Sequence, residues 1–123
     1  MEFKKEIFIF RHGQSEANKN KIACGNLDYP LSKKGILQAK NMAKKLNLIK
    51  FDRLYVSNLE RTKQTAKYIN IKKKTLVDEI MEINNGDFSK MKIKLLHKIH
   101  PKYKYQGLIK NTKYPKGESL NQA

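Results

Sequence analysis

The tripeptide Arg11-His12-Gly13 combines three residue types that together could carry phosphoryl chemistry. A neutral imidazole is a competent nucleophile toward phosphorus when one ring nitrogen is unprotonated and the other is held as a donor. The Arg11 guanidinium matches phosphate oxygens, and Gly13 allows a sharp turn and the close approach of an anion to the backbone. By itself the tripeptide is more typical of a surface Arg-His pair, so other residues must decide between the two interpretations.

The elements that would position this tripeptide alternate between strand and helix. An apolar, aromatic run predicts a buried strand over Phe3–Phe10, directly before the tripeptide. A polar stretch with several turn residues follows from Gln14 to Pro30. The later elements are a helix from Ser32, a strand over Phe51–Ser57, a helix over Glu60–Ile69, a strand over Thr75–Ile80, a turn at 84–87, and a helix through Met91, Leu95 and Ile99 that ends at Pro101.

This alternation predicts an α/β fold with a mostly parallel sheet and flanking helices. The helix from Ser32 is supported by a good N-cap residue and by apolar residues at helical spacing, namely Ile36, Ala39, Ala43 and Leu46. Parallel sheets bind ligands beyond the carboxyl ends of their strands, where His12 and Ser57 would lie. We expect a single domain over residues 1–123.

Length, cysteine content and hydropathy exclude several classes of protein. A chain of 123 residues is one domain's worth, and the single cysteine, Cys24, excludes an internal disulfide framework. Apolar runs stay far below the roughly 18 residues that a membrane span requires. We therefore expect a soluble cytoplasmic protein without a membrane partner.

The formal net charge of +16 suggests an anionic partner, but the kind and distribution of the basic residues favour a solvated surface without a specific partner. Of the 27 basic residues only Arg11, Arg53 and Arg61 are arginines, and the lysines are spread along the whole chain. Nucleic-acid readers depend on arginine for bidentate contacts, so we do not expect a nucleic-acid partner. The charge favours a solvated, compositionally biased surface, and the alternatives are a general attraction of phosphorylated ligands and nucleic-acid binding through the Lys-rich surface.

Four segments occur in an order that strengthens the chemical interpretation of the tripeptide. They are Arg-His-Gly-Gln-Ser-Glu-Ala-Asn at 11–18, Leu-Ser-Lys-Lys-Gly at 31–35 with Gln38-Ala39, Ser-Asn-Leu-Glu-Arg-Thr at 57–62, and Gln64-Thr65-Ala66. The ordered set resembles the histidine phosphatase superfamily, in the branch that contains the cofactor-dependent phosphoglycerate mutases. The resemblance runs from about residue 6 to about residue 120 and implies a phosphoglycerate mutase-like fold.

The resemblance implies a role for each matching position. His12 would be the nucleophile that becomes phosphohistidine, and Arg11 and Arg61 would clamp the phosphoryl group. The other matching positions would contact the substrate, Asn18 through an amide hydrogen bond to the phosphate, and Cys24 and Gly25 at the substrate entrance. The alternatives are an exposed helix residue for Arg61, a turn residue for Asn18 and a small buried filler for Cys24.

Glu82 lies four residues before Gly86 and resembles the family's segment that carries a catalytic glutamate. That glutamate would be the general acid that protonates the leaving oxygen. Glu79 is a rival by position, although its spacing to Gly86 does not match, and a solvated carboxylate is the alternative for Glu82. Family members often follow this glycine with an acidic-Gly pair, whereas Ser89-Lys90 stands here, which implies a different lid over the pocket.

The C-terminal part departs from the family pattern. Lys-Gly-Glu-Ser at 116–119 resembles a segment that precedes a helix in the family, and a later strand there ends in a second histidine. This sequence stops at Ala123, which suggests a C-terminally truncated member with an incomplete sheet. His97 and His100 match no motif, and no acidic or cysteine cluster accompanies them, so they predict neither that second histidine nor a metal site.

The resemblance thus implies an enzyme that catalyses metal-independent phosphomonoester hydrolysis or phosphoryl transfer through a phosphohistidine at His12. It implies no cofactor and a small phosphorylated metabolite as substrate. We expect a phosphatase rather than a phosphoglycerate mutase, because no basic-rich insert matches the mutases' substrate clamp. The alternative is a catalytically impaired phosphate-binding remnant, since the loss of one charge-stabilising donor typically costs about 10²–10³ in rate. The oligomeric state is not indicated.

Overall fold

A computed structural model of the chain describes residues 5–81 and 90–99. Its elements in chain order are α1 (Glu16–Lys19), α2 (Lys33–Leu46), β1 (Leu54–Ser57), α3 (Glu60–Ala66), β2 (Lys74–Val77), a 3-10 helix (Asp78–Ile80) and α4 (Ile93–Ile99). The alternation of strand and helix from β1 onward confirms the α/β order expected from the sequence. No helix within the described ranges is both long enough and apolar enough to cross a membrane.

The strands β1 and β2 pair in parallel, with Leu54 opposite Lys74 and Ser57 opposite Val77. Helix α3 connects them and packs against β1. This parallel strand-helix-strand unit confirms the predicted sheet type. The predicted third strand is shorter than expected, because the chain turns into the 3-10 helix after Val77.

Helix α2 begins and packs as its sequence pattern predicts. The Ser32 hydroxyl accepts a hydrogen bond from the backbone N–H of Gly35 at 3.1 Å and so caps the first turn. Gly35, Ala39, Ala43 and Leu46 are buried along one face. Helix α2 packs against α3. A hydrophobic cluster forms at the far end of the pair around Ala43, Leu46 and Ile69, flanked by Met42, Phe51, Leu54, Tyr68 and Ile71.

The prediction of a buried strand over Phe3–Phe10 is wrong for its described part, residues 5–10. This segment has no strand pairing within the described residues, and the side chains of Ile7 and Ile9 are 85% and 91% exposed. Phe8 and Phe10 instead lie edge-on against Phe51, at ring-centroid distances of 5.2 and 6.4 Å. The apolar pattern identified a segment suited to a sheet, but a strand also needs a neighbour whose backbone can complete its hydrogen bonds.

The turn region before α2 contains the short helix α1, which sequence analysis assigned to a polar loop. Ser15 and Asn18 form a reciprocal capping box in which each side chain accepts the other residue's backbone N–H at 3.0 Å. The middle of this region is tied to the residues just before α4, because Ala23 exchanges backbone hydrogen bonds with Lys90 and Met91 at 2.7 Å. The predicted turn at residues 84–87 lies outside the described residues.

Candidate active site

The His12 ring is held in one orientation by its own neighbour in the chain. Its Nδ1 atom lies 2.6 Å from the carbonyl oxygen of Gly13. A carbonyl oxygen can only accept, so Nδ1 must carry the proton in this hydrogen bond. In the neutral ring Nε2 is then unprotonated and presents its lone pair, which is the state that a nitrogen nucleophile requires.

The Arg61 side chain reaches this same nitrogen. Its Nε atom donates to His12 Nε2 at 3.3 Å, although the two residues are 49 positions apart in the chain. The other two guanidinium nitrogens donate to the carbonyl oxygens of Leu27 at 2.7 Å and Gly25 at 2.6 Å. Arg61 is fully buried, at 0% exposure. The structure therefore brings together the predicted nucleophile and one of the two predicted phosphate-clamping arginines.

The burial of Arg61 predicts that lysine cannot replace it, although most basic residues of this chain are lysines. A lysine ammonium is a point donor and cannot reach both carbonyl oxygens and His12 with the planar spread of a guanidinium. We expect Arg61→Lys to lower the free energy of unfolding by about 2–4 kcal/mol, since each buried acceptor left unpaired costs roughly 1–3 kcal/mol. Urea unfolding monitored by circular dichroism measures this change.

The matched control is Arg53→Lys, which makes the same substitution at an exposed position. We expect that variant to stay within about 0.5 kcal/mol of the wild type. Equal urea midpoints for the two variants would contradict the structural role that we assign to the buried guanidinium.

The loop that contains Cys24 and Gly25 holds the Arg61 guanidinium by a backbone hydrogen bond. Both residues are buried, and Gly25 adopts a positive φ of 51°, a conformation that favours glycine. The bend presents the Gly25 carbonyl to the Arg61 guanidinium. Contact of Cys24 and Gly25 with a substrate stays a prediction, whereas support of Arg61 by Gly25 is visible in the structure.

The other predicted site residues are placed less directly. Arg11 and Asn18 are exposed, and the Asn18 side-chain oxygen is occupied in the capping box of α1. Glu82, His100 and residues 116–119 lie outside the described residues, and His97 lies within α4. Within residues 5–81 and 90–99 no group of three or more His, Cys, Asp or Glu side chains is arranged to hold a metal ion.

Sequence analysis gave no role to the contacts that hold the His12 loop against α2. The Gln14 carbonyl accepts from the Ser32 backbone N–H at 2.9 Å, and the Ser32 hydroxyl lies 2.8 Å from Gln14 Oε1. The backbones of Gly13 and Gly35 pack so closely that a Cβ atom on Gly13 would lie 2.5 Å from the Gly35 carbonyl oxygen. The signal was present in the sequence, since all of these residues belong to the ordered motif segments.

Comparison with known proteins identifies the family of this chain. The sequence model of the family described as the histidine phosphatase superfamily (branch 1) matches residues 7–123 of this chain. The chain belongs to the histidine phosphatase superfamily.

Two curated members of the superfamily illustrate how far the similarity extends. A Schizosaccharomyces pombe protein named as a probable phosphatase is 34% identical over 111 residues, which cover 84% of this chain and 53% of that protein. The adenosylcobalamin/alpha-ribazole phosphatase of Escherichia coli is 33% identical over 82 residues, covering 67% of this chain and 40% of the relative. The chain thus spans about half the length of the curated relatives that it matches.

Solved structures of the superfamily share the fold. The phosphoglycerate mutase of Thermus thermophilus superposes with a TM-score of 0.73 and 28% identity, over 90% of this chain and 61% of that one. Proteins named as phosphatases and as a phosphoglycerate mutase thus both occur among the relatives of this superfamily member.

Proposed function

We propose that this chain carries the nucleophile and the phosphate-binding groups of a metal-independent phosphomonoester hydrolase or phosphotransferase that works through a phosphohistidine at His12. The observation that supports this proposal best is the 3.3 Å contact between Arg61 Nε and His12 Nε2, with His12 Nδ1 hydrogen-bonded to the Gly13 carbonyl. In this contact the Nε2 lone pair accepts the arginine N–H, so attack on phosphorus requires the N–H to turn from Nε2 to a phosphate oxygen. A phosphoryl group entering there would meet both a nucleophile and a cationic donor.

The proposed reaction has two steps. In the first, the Nε2 lone pair attacks phosphorus, the bond from phosphorus to the ester oxygen breaks, and the leaving oxygen takes a proton from a general acid. In the second, a water oxygen attacks phosphorus while the carboxylate left by the general acid takes a proton from that water, the bond from phosphorus to Nε2 breaks, and inorganic phosphate leaves. We assign the general acid to Glu82 on its sequence register, and the phosphate contacts to Arg11, Arg61 and Asn18. A small phosphorylated metabolite is the proposed substrate.

Hydrolysis is favoured over mutase activity, because the two curated relatives described above carry phosphatase names. The two activities share the first step and differ only in whether water or a substrate hydroxyl accepts the phosphoryl group. A mutase remains the second candidate, since the Thermus thermophilus structure is a phosphoglycerate mutase.

The test uses p-nitrophenyl phosphate in the presence of EDTA, with nitrophenol and inorganic phosphate measured in the same samples. We expect turnover with equal amounts of the two products when water is the acceptor. An excess of nitrophenol in the presence of glycerol would indicate transfer to a hydroxyl and so favour the mutase. If the chain releases no nitrophenol yet binds inorganic phosphate in calorimetry, the hydrolase proposal fails and a phosphate-binding remnant is left.

A further inference from the structure

Two peptide groups flank the Cα atom of Gly13, and each is held by a side chain from a different helix. The N–H of Gly13 donates to Thr65 Oγ1 on α3 at 3.1 Å. The N–H of Gln14 donates to Gln38 Oε1 on α2 at 2.8 Å. Both Gln38 and Thr65 belong to the motif segments of the sequence, and neither has a part in the reaction proposed above.

The Gln38 contact acts on the peptide group that orients the His12 ring. The Gly13 carbonyl and the Gln14 N–H belong to one planar trans peptide, so they point in opposite directions and turn together. Gln38 holds the N–H end of this peptide, while the carbonyl end accepts from His12 Nδ1 at 2.6 Å. Rotation of this peptide would remove the acceptor of the Nδ1 proton and leave the Arg61 N–H on Nε2 as the remaining contact that favours this tautomer.

The Thr65 contact acts on the preceding peptide group and links it to Arg61. The Thr65 hydroxyl donates its single hydrogen to the Arg61 carbonyl oxygen at 2.7 Å, which leaves an oxygen lone pair for the Gly13 N–H. Thr65 is buried, so loss of its hydroxyl would leave the Gly13 N–H without this partner. One side chain therefore ties the backbone next to the nucleophile to the helical turn that carries Arg61.

We propose that Gln38 and Thr65 are positioning residues that set the tautomer and the orientation of His12. They act through the two peptide groups at Gly13 and touch no reacting atom. The kinetic part of this proposal rests on the proposed function of His12, whereas the effect on the tautomer does not.

Isosteric pairs of variants test the proposal. Thr65→Val and Gln38→Met remove the acceptor at nearly constant volume, whereas Thr65→Ser and Gln38→Glu retain an oxygen acceptor. Nitrogen-15 NMR of the imidazoles at alkaline pH distinguishes the Nδ1–H from the Nε2–H tautomer, and the His12 signals are identified by their absence from a His12→Asn variant. In the wild type, Thr65→Ser and Gln38→Glu we expect the Nδ1–H form to dominate.

In Thr65→Val and Gln38→Met we expect a mixture of the two tautomers and a kcat for p-nitrophenyl phosphate lowered by about 10–100-fold, because small misplacements of a reacting group have effects of this size. KM is expected to change less than threefold. If Thr65→Val does not fold, the test uses Gln38→Met alone. That variant is expected to fold, because Gln38 is exposed on α2 and its hydrogen bond is at the surface.

The outcomes separate the two proposals. Variants that keep the Nδ1–H tautomer and the wild-type kcat overturn the positioning role, even if their stability is lower. A wild-type chain without turnover overturns the proposed function, and the tautomer measurement still decides the role of Gln38 and Thr65.

Discussion

Replacement of His12 by alanine is expected to lower the rate of phosphomonoester hydrolysis by at least about 10³-fold, because removal of a nucleophile leaves only binding and electrostatic contributions. The same variant should no longer accumulate an acid-labile, alkali-stable phosphoryl group on the protein. Quenched-flow capture of the phosphoprotein, followed by peptide mapping to residue 12, measures both effects. Of the predictions made for this chain, this one has the largest expected effect on catalysis.

Two further variants separate the chemistry of His12 from its contribution to the loop. His12→Asn can keep a donor near the Gly13 carbonyl, but its amide nitrogen is not nucleophilic because the lone pair is delocalised into the carbonyl group, so we expect it to be as inactive as His12→Ala. His97→Ala removes a histidine that matches no motif and should hydrolyse the substrate at the wild-type rate. Retained activity in His12→Asn would mean that the ring orients the loop and performs no nucleophilic attack.

Substitution of Gly35 by alanine should lower the free energy of unfolding as strongly as Arg61→Lys does. In an ordinary helix position this change stabilises by up to about 1 kcal/mol, because alanine has the higher helix propensity. At Gly35 the added Cβ would overlap the Gln14 carbonyl oxygen and lie 2.9 Å from the Gln14 carbonyl carbon. Since these are backbone atoms, the helix and the His12 loop must separate, and we expect a loss of about 2–4 kcal/mol.

The sign of this effect distinguishes the tertiary contact from helix propensity. Lys34→Ala, at an exposed position in the same first turn of α2, is the control and should stay within about 0.5 kcal/mol of the wild type. Urea midpoints of the two variants give the comparison. A Gly35→Ala variant as stable as Lys34→Ala would show that the loop does not pack against α2 as described.

The elements that sequence reasoning predicted well are those with local causes. Helix α2 combines an N-cap serine with small and apolar residues at helical spacing, and it begins and ends where this pattern does. Helix α1 was missed because a single turn offers too few residues for a periodic pattern, although its capping residues were visible. The segment at 5–10 was predicted as a strand because its apolar pattern is local, whereas its pairing depends on residues distant in the chain.

The distribution of arginine was the most informative feature of composition for the site. Most basic residues of this chain are lysines, so an arginine at residue 61 indicated a need for several hydrogen bonds donated by one planar group. The structure shows how that need is met, by two backbone carbonyls and one imidazole nitrogen. Two of the three acceptors are backbone carbonyls of a loop, and side-chain types could not predict them.

The sequence by itself determined the family, the order of the helices and strands that follow the loop, and the residue types available for phosphoryl chemistry. Only the tertiary structure decided which of those residues meet, because the contacts of Arg61 with His12 and of Thr65 with Gly13 join positions 49 and 52 residues apart. Local patterns report the preferences of a short segment, whereas such contacts depend on the packing of α2 and α3 around the loop. The tautomer of His12 also depends on the fold, since the Arg61 N–H that donates to Nε2 comes from a distant residue and the Gly13 carbonyl beside Nδ1 is part of a peptide held by Gln38.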